Sequence, residues 1–583
     1  MYFCRTTVYN KSSIKTNTYG IMKRHRTKNA KQYIATNLRG EALLRDPQLN
    51  KGTAFTLTER KTFNLLGRLP QRVETLTHQV SRAYTQLNSY TSLNKKSLFL
   101  NELYNINQVL FYKLVEEHIA EIAPIIYTPQ VAVTCQTFSP EFRHPYGLYI
   151  SYPDRNNLAK IVDNYSHEQI DLLVVTDSQR ILGIGDQGVG GIGIPIGKLI
   201  LYTIFGGIDY RKTLPVVLDV GTDNQKLLND PMYLGWRHSR ITGSKYLNFI
   251  DDFIAVIHQK MPNVLLQWED FGKVNAPLLL KKYQKTICSF NDDIQGTAVV
   301  TLAAILAAIK ITRQKLTEQR IVILGAGSAA LGIVDLIVAG IQRQGLTKQQ
   351  AYEHFWLLDS KGLLTEKSTT SQKAYLRKTA EIDTWHINKK KITLLDVINH
   401  VKPTILIGCS TAANSFTQEI VQTMANQVNR PIILPLSNPT VNSEATPEDL
   451  IKWTEGRALI ATGSPFAPVV HKNKKYVIAQ CNNALTFPGL GLAVIASKAR
   501  EVNEDMLWTA VMALYKEAPS LQNPNNPLLP PLEEAAKVAK KIALEVAAVV
   551  LKNRLTPLPA TTDVHDLITN TVTKIAYKKL YPI

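Results

Sequence analysis

Apolar residues recur at helical spacing through the first part of the chain, and the texture then changes. Residues 32–121 read as mainly helical: 58–60 opens one amphipathic segment, and 98–122 holds apolar positions along one helical face. From residue 172 the pattern becomes short β-rich runs, at 172–175, 214–218 and 264–267, separated by glycine-rich turns and helices. That alternation predicts an α/β unit. A long apolar helix at 296–311 leads into a second α/β unit from 320 to about 482, with strands at 321–324, 356–358, 405–407 and 432–435. The final hundred residues return to helix, most clearly at 532–551. No internal repeat or low-complexity tract interrupts this order. The expected fold class is α/β, with a helical N-terminal region, two α/β units and a helical C-terminal extension.

Two glycine stretches follow predicted strands. Gly183-Ile-Gly185-Asp-Gln-Gly188 satisfies GxGxxG literally, and Gly325-Ala-Gly327-Ser328-Ala329-Ala330 is a GxGxxA variant. The second has the better context: an apolar strand, a tight turn, then an apolar helix to about residue 339. Glycines there allow close backbone approach, and the helix N-terminus faces a pyrophosphate. The next strand ends in Asp359, where an acid would hold the ribose hydroxyls. It lies 34 residues beyond Gly325, more than the ~20 usual, so a longer helix and loop must intervene. The first stretch is followed by Val-Gly-Gly-Ile-Gly-Ile-Pro195, which is too rich in Gly and Pro to open a normal helix. It is read as a backbone hinge, and the Rossmann assignment belongs to 325–330.

Two acidic pairs stand out because their flanks are apolar. Glu269-Asp270 follows Leu-Leu-Gln-Trp268, and Asp292-Asp293 follows Ile-Cys-Ser-Phe290-Asn291. Ionised carboxylates are rarely buried without a partner, since losing hydration costs several kcal/mol. A hard divalent cation such as Mg²⁺ or Mn²⁺ is the natural one, because it prefers oxygen ligands and leaves positions open.

Bulk numbers change this picture little. The 583 residues are 45% hydrophobic and 20% charged, as in an ordinary globular protein large enough for several domains. No apolar run in the sequence reaches the ~18 residues of a membrane span. The five cysteines form no CxxC pair and no framework of bridges, which favours a reducing compartment. Net charge is +20, but residues 1–40 carry nine Lys/Arg and no acid, and subtracting them leaves +11 for the rest. No nucleic-acid motif accompanies that charge, so a basic scaffold or nucleic-acid binder is the weaker alternative class. Residues 1–31 read as a basic tail, expected to be disordered. The alternatives are a mitochondrial-type transit peptide, or an early start with Met22 as the true one.

Taken together, the blocks resemble the malic enzyme family. Tyr127-Thr128-Pro129, the runs at 176–186, 193–198, 218–224, 268–271, 290–297, 435–440 and 461–466, and Asn482-Asn483 carry the likeness. It holds in order from about residue 38 to 497. The stretch Gln480-Cys-Asn-Asn-Ala484 and the helical C-terminus are most similar to the bacterial, NAD-linked branch. One departure is Ala132, where the family usually has glycine, close to Tyr127.

The resemblance implies oxidative decarboxylation of L-malate to pyruvate and CO₂ with NAD and Mg²⁺ or Mn²⁺. It assigns Glu269, Asp270 and Asp293 to the metal, Lys198 as base, Tyr127 as proton donor, and Asp292 as their assistant. A lysine serves as base only if its pKa is lowered. Arg180, Asn438 and Asn483, with Asn482 as the alternative amide, would contact substrate. Gly325, Gly327, Ser328, Ala329, Ala330, Asp359 and Asn438 would line the cofactor. Alone, Lys198 would read as a solvated helix-start lysine, Arg180 as half of a surface ion pair and Asn438 as a turn residue. A decarboxylase without redox use is a second reading, opposed by the intact 325–330 loop and Asp359.

The domain organisation that follows is a tail at 1–31, a helical domain at 32–145 and a substrate/metal domain at 146–291. A Rossmann-type NAD-binding domain at 292–482 comes next. Residues 483–555 are expected to pack back on the substrate/metal domain, and 556–583 form a C-terminal extension. A cytoplasmic homodimer or homotetramer is expected (mitochondrial matrix if the tail is a transit peptide), with no nucleic-acid or membrane partner. Arg82 lines up with one of two arginines that fumarate-activated animal members use, but the second position holds Ile106, so fumarate activation is expected to be weak or absent.

Overall fold

The computed structural model describes residues 33–165, 169–181, 183–368, 373–387 and 391–583, and the basic tail expected at 1–31 lies outside them. Two compact units result. One holds the described residues up to Glu117 together with Ile575–Ile583, and the other is His118–Lys574.

The first unit is helical, with Leu57–Thr62, Leu76–Ser89, Leu93–Ile106 and Gln108–Glu117 as its main helices. Thr56 starts the first of these. Its side chain accepts from the Glu59 backbone N–H, and Glu59 reaches back to the Thr56 N–H, a reciprocal cap. The amphipathic run expected across 98–122 is broken at Asn107, whose side chain accepts from the Leu110 N–H at 3.0 Å and starts a new helix. One element was not anticipated: strand Tyr33–Thr36 pairs in parallel with Lys579–Pro582. A ladder joining opposite ends of a chain leaves no local pattern to read.

The second unit contains two parallel sheets. The first comprises β1 (Leu148–Ser151), β2 (Leu172–Thr176), β3 (Thr213–Asp219), β4 (Leu265–Glu269) and β5 (Ser289–Asn291), in the order β1-β3-β2-β4-β5. Its interior strands are buried along their whole length, as parallel strands covered on both faces must be. The second comprises β6 (Ile321–Leu324), β7 (Phe355–Asp359), β8 (Gly362–Leu363), β9 (Ile405–Gly408), β10 (Ile432–Pro435), β11 (Leu459–Thr462) and β12 (Ala479–Gln480). Their order is β12-β11-β10-β9-β6-β7-β8, parallel except for the short β8. Strand order therefore reverses between β6 and β9, and the crevice beyond their carboxyl ends is where a doubly wound sheet binds its ligand.

Three apolar helices connect and cover these sheets: α1 (Gly193–Gly206), α2 (Thr297–Thr312) and α3 (Ser328–Gln342). Further along, α4 (Phe487–Ser497) returns to pack on α1 and on α5 (Ala535–Lys552). The Tyr202 and Phe487 rings meet at 4.7 Å.

Two sequence expectations need correction. Gly188 does lead into a helix: a 3₁₀ turn, Gly188–Ile192, runs directly into α1. Pro195 falls in the first turn of α1, where a missing N–H breaks no helical bond. Moreover, Gly188–Gly206 and Asp292–Thr312 are long and apolar enough by length and composition to cross a membrane. Lys198 in one, and Gln295 and Lys310 in the other, interrupt the apolar runs that a plain count relies on. In the structure 89% and 78% of the two apolar windows are buried inside the protein, which is the condition of core helices.

Candidate active site

Neighbouring residues in a strand point to opposite faces, so Glu269 and Asp270 would ordinarily diverge. Trp268 enters the core of the first sheet, while Glu269 and Gln267 share the other face. Asp270 follows the end of β4 with φ +56°, a left-handed conformation that aspartate tolerates better than most residues. That turn brings its carboxylate back beside Glu269.

The second acidic pair is delivered by an irregular turn. Asp292–Gly296 forms a single π-helical turn between β5 and α2, a feature frequent at functional sites. The Asn291 side chain caps it by accepting from the Ile294 N–H at 2.9 Å. A Cβ on Gly296 would lie 1.9 Å from Asp292 Oδ1, so only glycine leaves room for that carboxylate.

Glu269, Asp270 and Asp293 each place an oxygen within 4.8 Å of the others. The Asp270 N–H donates to Asp293 Oδ2 at 2.8 Å, and Gln267 Nε2 donates to Glu269 Oε2 at 2.6 Å. Burial pushes all three acids up, Glu269 to about 8 and Asp293 to about 6, with mutual repulsion adding to it. Among the described residues, neither Asp270 nor Asp293 forms an ion pair. Asp292 is fully buried, and its Oδ1 has no hydrogen-bond partner. Crowded, half-neutralised carboxylates of this kind are a donor set that suits a hard divalent cation.

Lys198 contradicts its default reading as a solvated helix-start residue. It lies on α1 with 2% exposure, ion-paired to Asp292 and, at 3.1 Å, to Glu269 Oε1. Its ammonium stands over the rings of Phe487, at 4.8 Å, and Tyr127, at 5.6 Å. Burial disfavours the charged form, but the Asp292 and Glu269 carboxylates outweigh it and hold the pKa well above the usual lysine range. This reverses the lowering expected from sequence, because the carboxylates that bury the amine also pair with it.

Tyr127 ends the helix Ile119–Ile126. Gly197 lets that end approach α1, since a Cβ there would meet Ile126 O at 3.0 Å and the Tyr127 ring at 3.2 Å. Burial pushes the Tyr127 phenol up, and Lys198 offsets only part of the shift, so the hydroxyl stays protonated. Ala132 sits inside the helix Gln130–Gln136, without the positive φ that would demand glycine.

The remaining sequence candidates fall around this centre in different ways. Arg180 is exposed, its backbone N–H donates to Asp270 O at 3.1 Å, and its charge is felt at Asp293. Asn483 Nδ2 donates to Asp292 Oδ2 and to Thr297 Oγ1, both at 3.1 Å. Asn482 instead spends its carboxamide oxygen on the Ala484 N–H at 2.9 Å, capping a short turn. Asn438 precedes a cis Pro439, and its Oδ1 accepts from Ser464 Oγ at 2.5 Å. Gly183, Gly185 and Gly188 all have positive φ, and a Cβ on Gly183 would collide with Pro439. The first glycine stretch therefore packs against the Asn438 turn rather than opening a phosphate site.

The second stretch has the geometry of a dinucleotide turn. Gly325 has φ +111°, and a Cβ there would stand 2.4 Å from Cys409 O across the β6/β9 switch point. Gly327 caps α3, and a Cβ there would meet no protein atom, so the space above the helix N-terminus is open. Ser328, Ala329 and Ala330 form the first turn of α3. Asp359 ends β7 one strand away, accepting from the Lys361 N–H at 2.7 Å. These residues fit a pyrophosphate on the helix N-terminus and a ribose beside the acid.

Sequence reasoning missed Gln267, although its i, i+2 spacing from Glu269 was a usable signal. It also missed Arg240, whose guanidinium ties Asp186, at 2.7 Å, to the Asp177 carbonyl, at 2.5 Å, bracing the 177–188 loop that carries Arg180. No local pattern points to that arginine.

A switch-point glycine turn in one parallel sheet, and a buried acid–lysine site at the carboxyl end of another, define an α/β enzyme of the dinucleotide-binding kind. Residues 104–284 match the family described as malic enzyme, N-terminal domain, and residues 294–551 the one described as malic enzyme, NAD binding domain. The chain is 48% identical over 516 residues to the NAD-dependent malic enzyme of Shewanella sediminis, covering 88% of this chain and 92% of that one. It is 49% identical over 510 residues to the NAD-dependent malic enzyme of Salmonella agona, covering 87% and 90%. The crystal structure of Entamoeba histolytica malic enzyme shares the fold, with TM-score 0.53, 22% identity, and 87% and 90% of the two chains covered. The chain belongs to the malic enzyme family.

Proposed function

We propose that this chain oxidatively decarboxylates L-malate to pyruvate and CO₂, reducing NAD, with a divalent cation, Mg²⁺ or Mn²⁺, held by Glu269, Asp270 and Asp293. One observation carries the reading: a buried lysine, paired to Asp292, stands against the same Glu269 that belongs to the three-carboxylate cluster. A base and a cation site that share Glu269 can act on the same substrate atoms. The relatives named as NAD-dependent malic enzymes support the choice of NAD.

Arg180 grips a malate carboxylate through its planar fork, and Asn438 and Asn483 supply amide contacts. When bound, a divalent cation held by Glu269, Asp270 and Asp293 would supply Lewis-acid polarisation of a substrate oxygen. NAD supplies the hydride acceptor. Lys198, once it has given up to solvent the proton that Asp292 and Glu269 hold on it, takes the C2 hydroxyl proton as the hydride leaves C2. Asp292 keeps Nζ aimed throughout. After the C3–C4 bond breaks and CO₂ departs, Tyr127 gives its proton to C3 of the pyruvate enolate, and Lys198 returns the proton it took to the phenolate. Protons balance within the site.

The deciding experiment is a spectrophotometric assay with malate and Mn²⁺, comparing NAD with NADP. Reduction of NAD with pyruvate formed in equal amount is the expected result, and no nucleotide reduction with malate would sink the reading. We further infer a homodimer or homotetramer in the cytoplasm. The bacterial sources of the relatives and the four described cysteines, all free thiols, support the compartment. Light scattering after gel filtration tests the assembly.

A further inference from the structure

Glu444 is fully buried, and among the described residues it has no cationic partner. A carboxylate in that position is tolerable only if its oxygens are filled by donors. They are, and the donors come from two loops at the carboxyl end of the second sheet. Ser410, just after β9, gives Oε1 both its backbone N–H and its hydroxyl at 2.9 Å. Ser437, just after β10, gives Oε1 its hydroxyl at 2.5 Å and Oε2 its N–H at 3.3 Å. The Ser437 hydroxyl in turn accepts from the Thr411 N–H at 2.8 Å, so the two loops are also joined directly. Gly408 makes room for this arrangement, since a Cβ there would stand 2.4 Å from the Glu444 carboxyl carbon.

Both loops border the cofactor crevice. A Cβ on Gly325 would lie 2.4 Å from Cys409 O and 3.0 Å from the Ser410 nitrogen, so the glycine turn rests on the backbone that Glu444 holds. Ser437 immediately precedes Asn438, the amide proposed to face substrate and cofactor. Hydrogen bonds to a charged acceptor are roughly twice as strong as neutral ones. One carboxylate therefore sets the distance between the 409–411 loop, the Asn438 turn and the Gly325 turn.

We propose that Glu444 is a positioning residue for the dinucleotide crevice, acting through Ser410 and Ser437 rather than touching the cofactor. The inference rests on the NAD reading above. Glutamine keeps the shape but replaces one acceptor oxygen with a donor, leaving a backbone N–H of Ser410 or Ser437 facing another N–H.

The test is a fluorescence titration of the full chain with NADH, without malate or metal, alongside a thermal melt. Glu444→Gln should weaken NADH binding about tenfold, and Ser410→Ala, which removes one donor but keeps the backbone bond, several-fold. A purely structural role would lower the melting temperature and leave the NADH Kd unmoved, and that outcome in a folded Glu444→Gln protein overturns the proposal. If Glu444→Gln fails to fold, Ser410→Ala and Ser437→Ala decide it: weakened NADH binding in either supports the proposal, and unchanged binding in both overturns it. A wild-type chain that does not bind NADH removes the NAD reading itself, and this inference with it.

Discussion

The Asp270 backbone N–H donates to Asp293 Oδ2 at 2.8 Å, which joins the two acidic pairs through the main chain. The contact holds a metal-type carboxylate in place with a neutral donor, and among the described residues only one of the three acids, Glu269, is paired to a cation, Lys198, so the cluster keeps negative charge for a metal ion. EDTA is therefore expected to abolish malate-dependent NAD reduction, with Mn²⁺ or Mg²⁺ restoring it. Asp293→Ala should raise the Mn²⁺ concentration needed for half-maximal rate by about 10-fold or more. Full activity in metal-free buffer would refute the assignment.

The same acids should make metal binding and stability depend on pH. Burial raises Glu269 to about 8 and Asp293 to about 6. A carboxyl raised in the folded state contributes stability below its unfolded pKa and loses it as pH climbs through the folded value. The metal-free protein should therefore melt lower at pH about 8.5 than at about 5.5, as each group gives up its proton. Protons compete with the cation for these oxygens, so Mn²⁺ should raise the melting temperature more at the higher pH. Thermal melts with EDTA or Mn²⁺ at both pH values check this, and a larger Mn²⁺ effect at low pH would contradict it.

How far these features could be read from sequence depends on whether their cause is local. Glu269-Asp270 and Asp292-Asp293 betrayed themselves through apolar flanks, and the Gly325 turn through the strand before it and the helix after it. The strand Tyr33–Thr36 could not be read, because its partner Lys579–Pro582 lies at the other end of the chain. The protonation of Lys198 could not be read either. Burial alone predicts a lowered pKa, and only the fold reveals that Asp292, ninety-four residues away, is what buries it. Asn482 and Asn483 are adjacent and chemically identical, yet one caps a turn and the other donates to Asp292. Arg240 and Glu444 act between loops that no spacing rule connects.

Lys198→Ala is expected to lower kcat for malate oxidation by about 10²–10⁴. NADH binding should stay within about twofold of wild type, because the base acts on substrate and not on cofactor. The change also leaves Asp292 without its cation, so the NADH titration doubles as a check on the fold. Tyr127→Phe should instead slow protonation of the enolate, with NADH binding and metal affinity intact. A Lys198→Ala protein with wild-type kcat would leave that lysine a purely structural role.

Fumarate should change the KM for malate by less than about twofold. An effector dicarboxylate needs paired cationic forks. Arg82 is already ion-paired to Glu74 at 2.7 Å, and Ile106, 48% exposed, offers no charge. Initial rates at subsaturating malate, with and without fumarate, measure this directly. A several-fold fall in KM would mean that other residues form the effector site.

Cofactor preference turns on the few residues after β7. Asp359 stands one strand from Gly325, whose N–H donates to Leu358 O at 2.8 Å, so the acid is close to the glycine turn. Its negative charge favours a ribose 2′-hydroxyl and repels a 2′-phosphate. Lys361 follows two residues later and is exposed, and Lys391, from a later segment, donates to Ser360 O at 2.8 Å, so cations able to neutralise a phosphate also stand at this loop. Asp359 is the nearer determinant because its own loop fixes it: Oδ1 accepts the Lys361 N–H at 2.7 Å, whereas the Lys361 ammonium is held by no ion pair among the described residues. The expected result is a higher kcat/KM with NAD than with NADP. Asp359→Ala should narrow that ratio by about tenfold through relief of repulsion, and Lys361→Ala should reduce what NADP activity remains. A wild-type kcat/KM higher for NADP would assign the specificity to the lysines, and Lys361→Ala would then shift preference toward NAD.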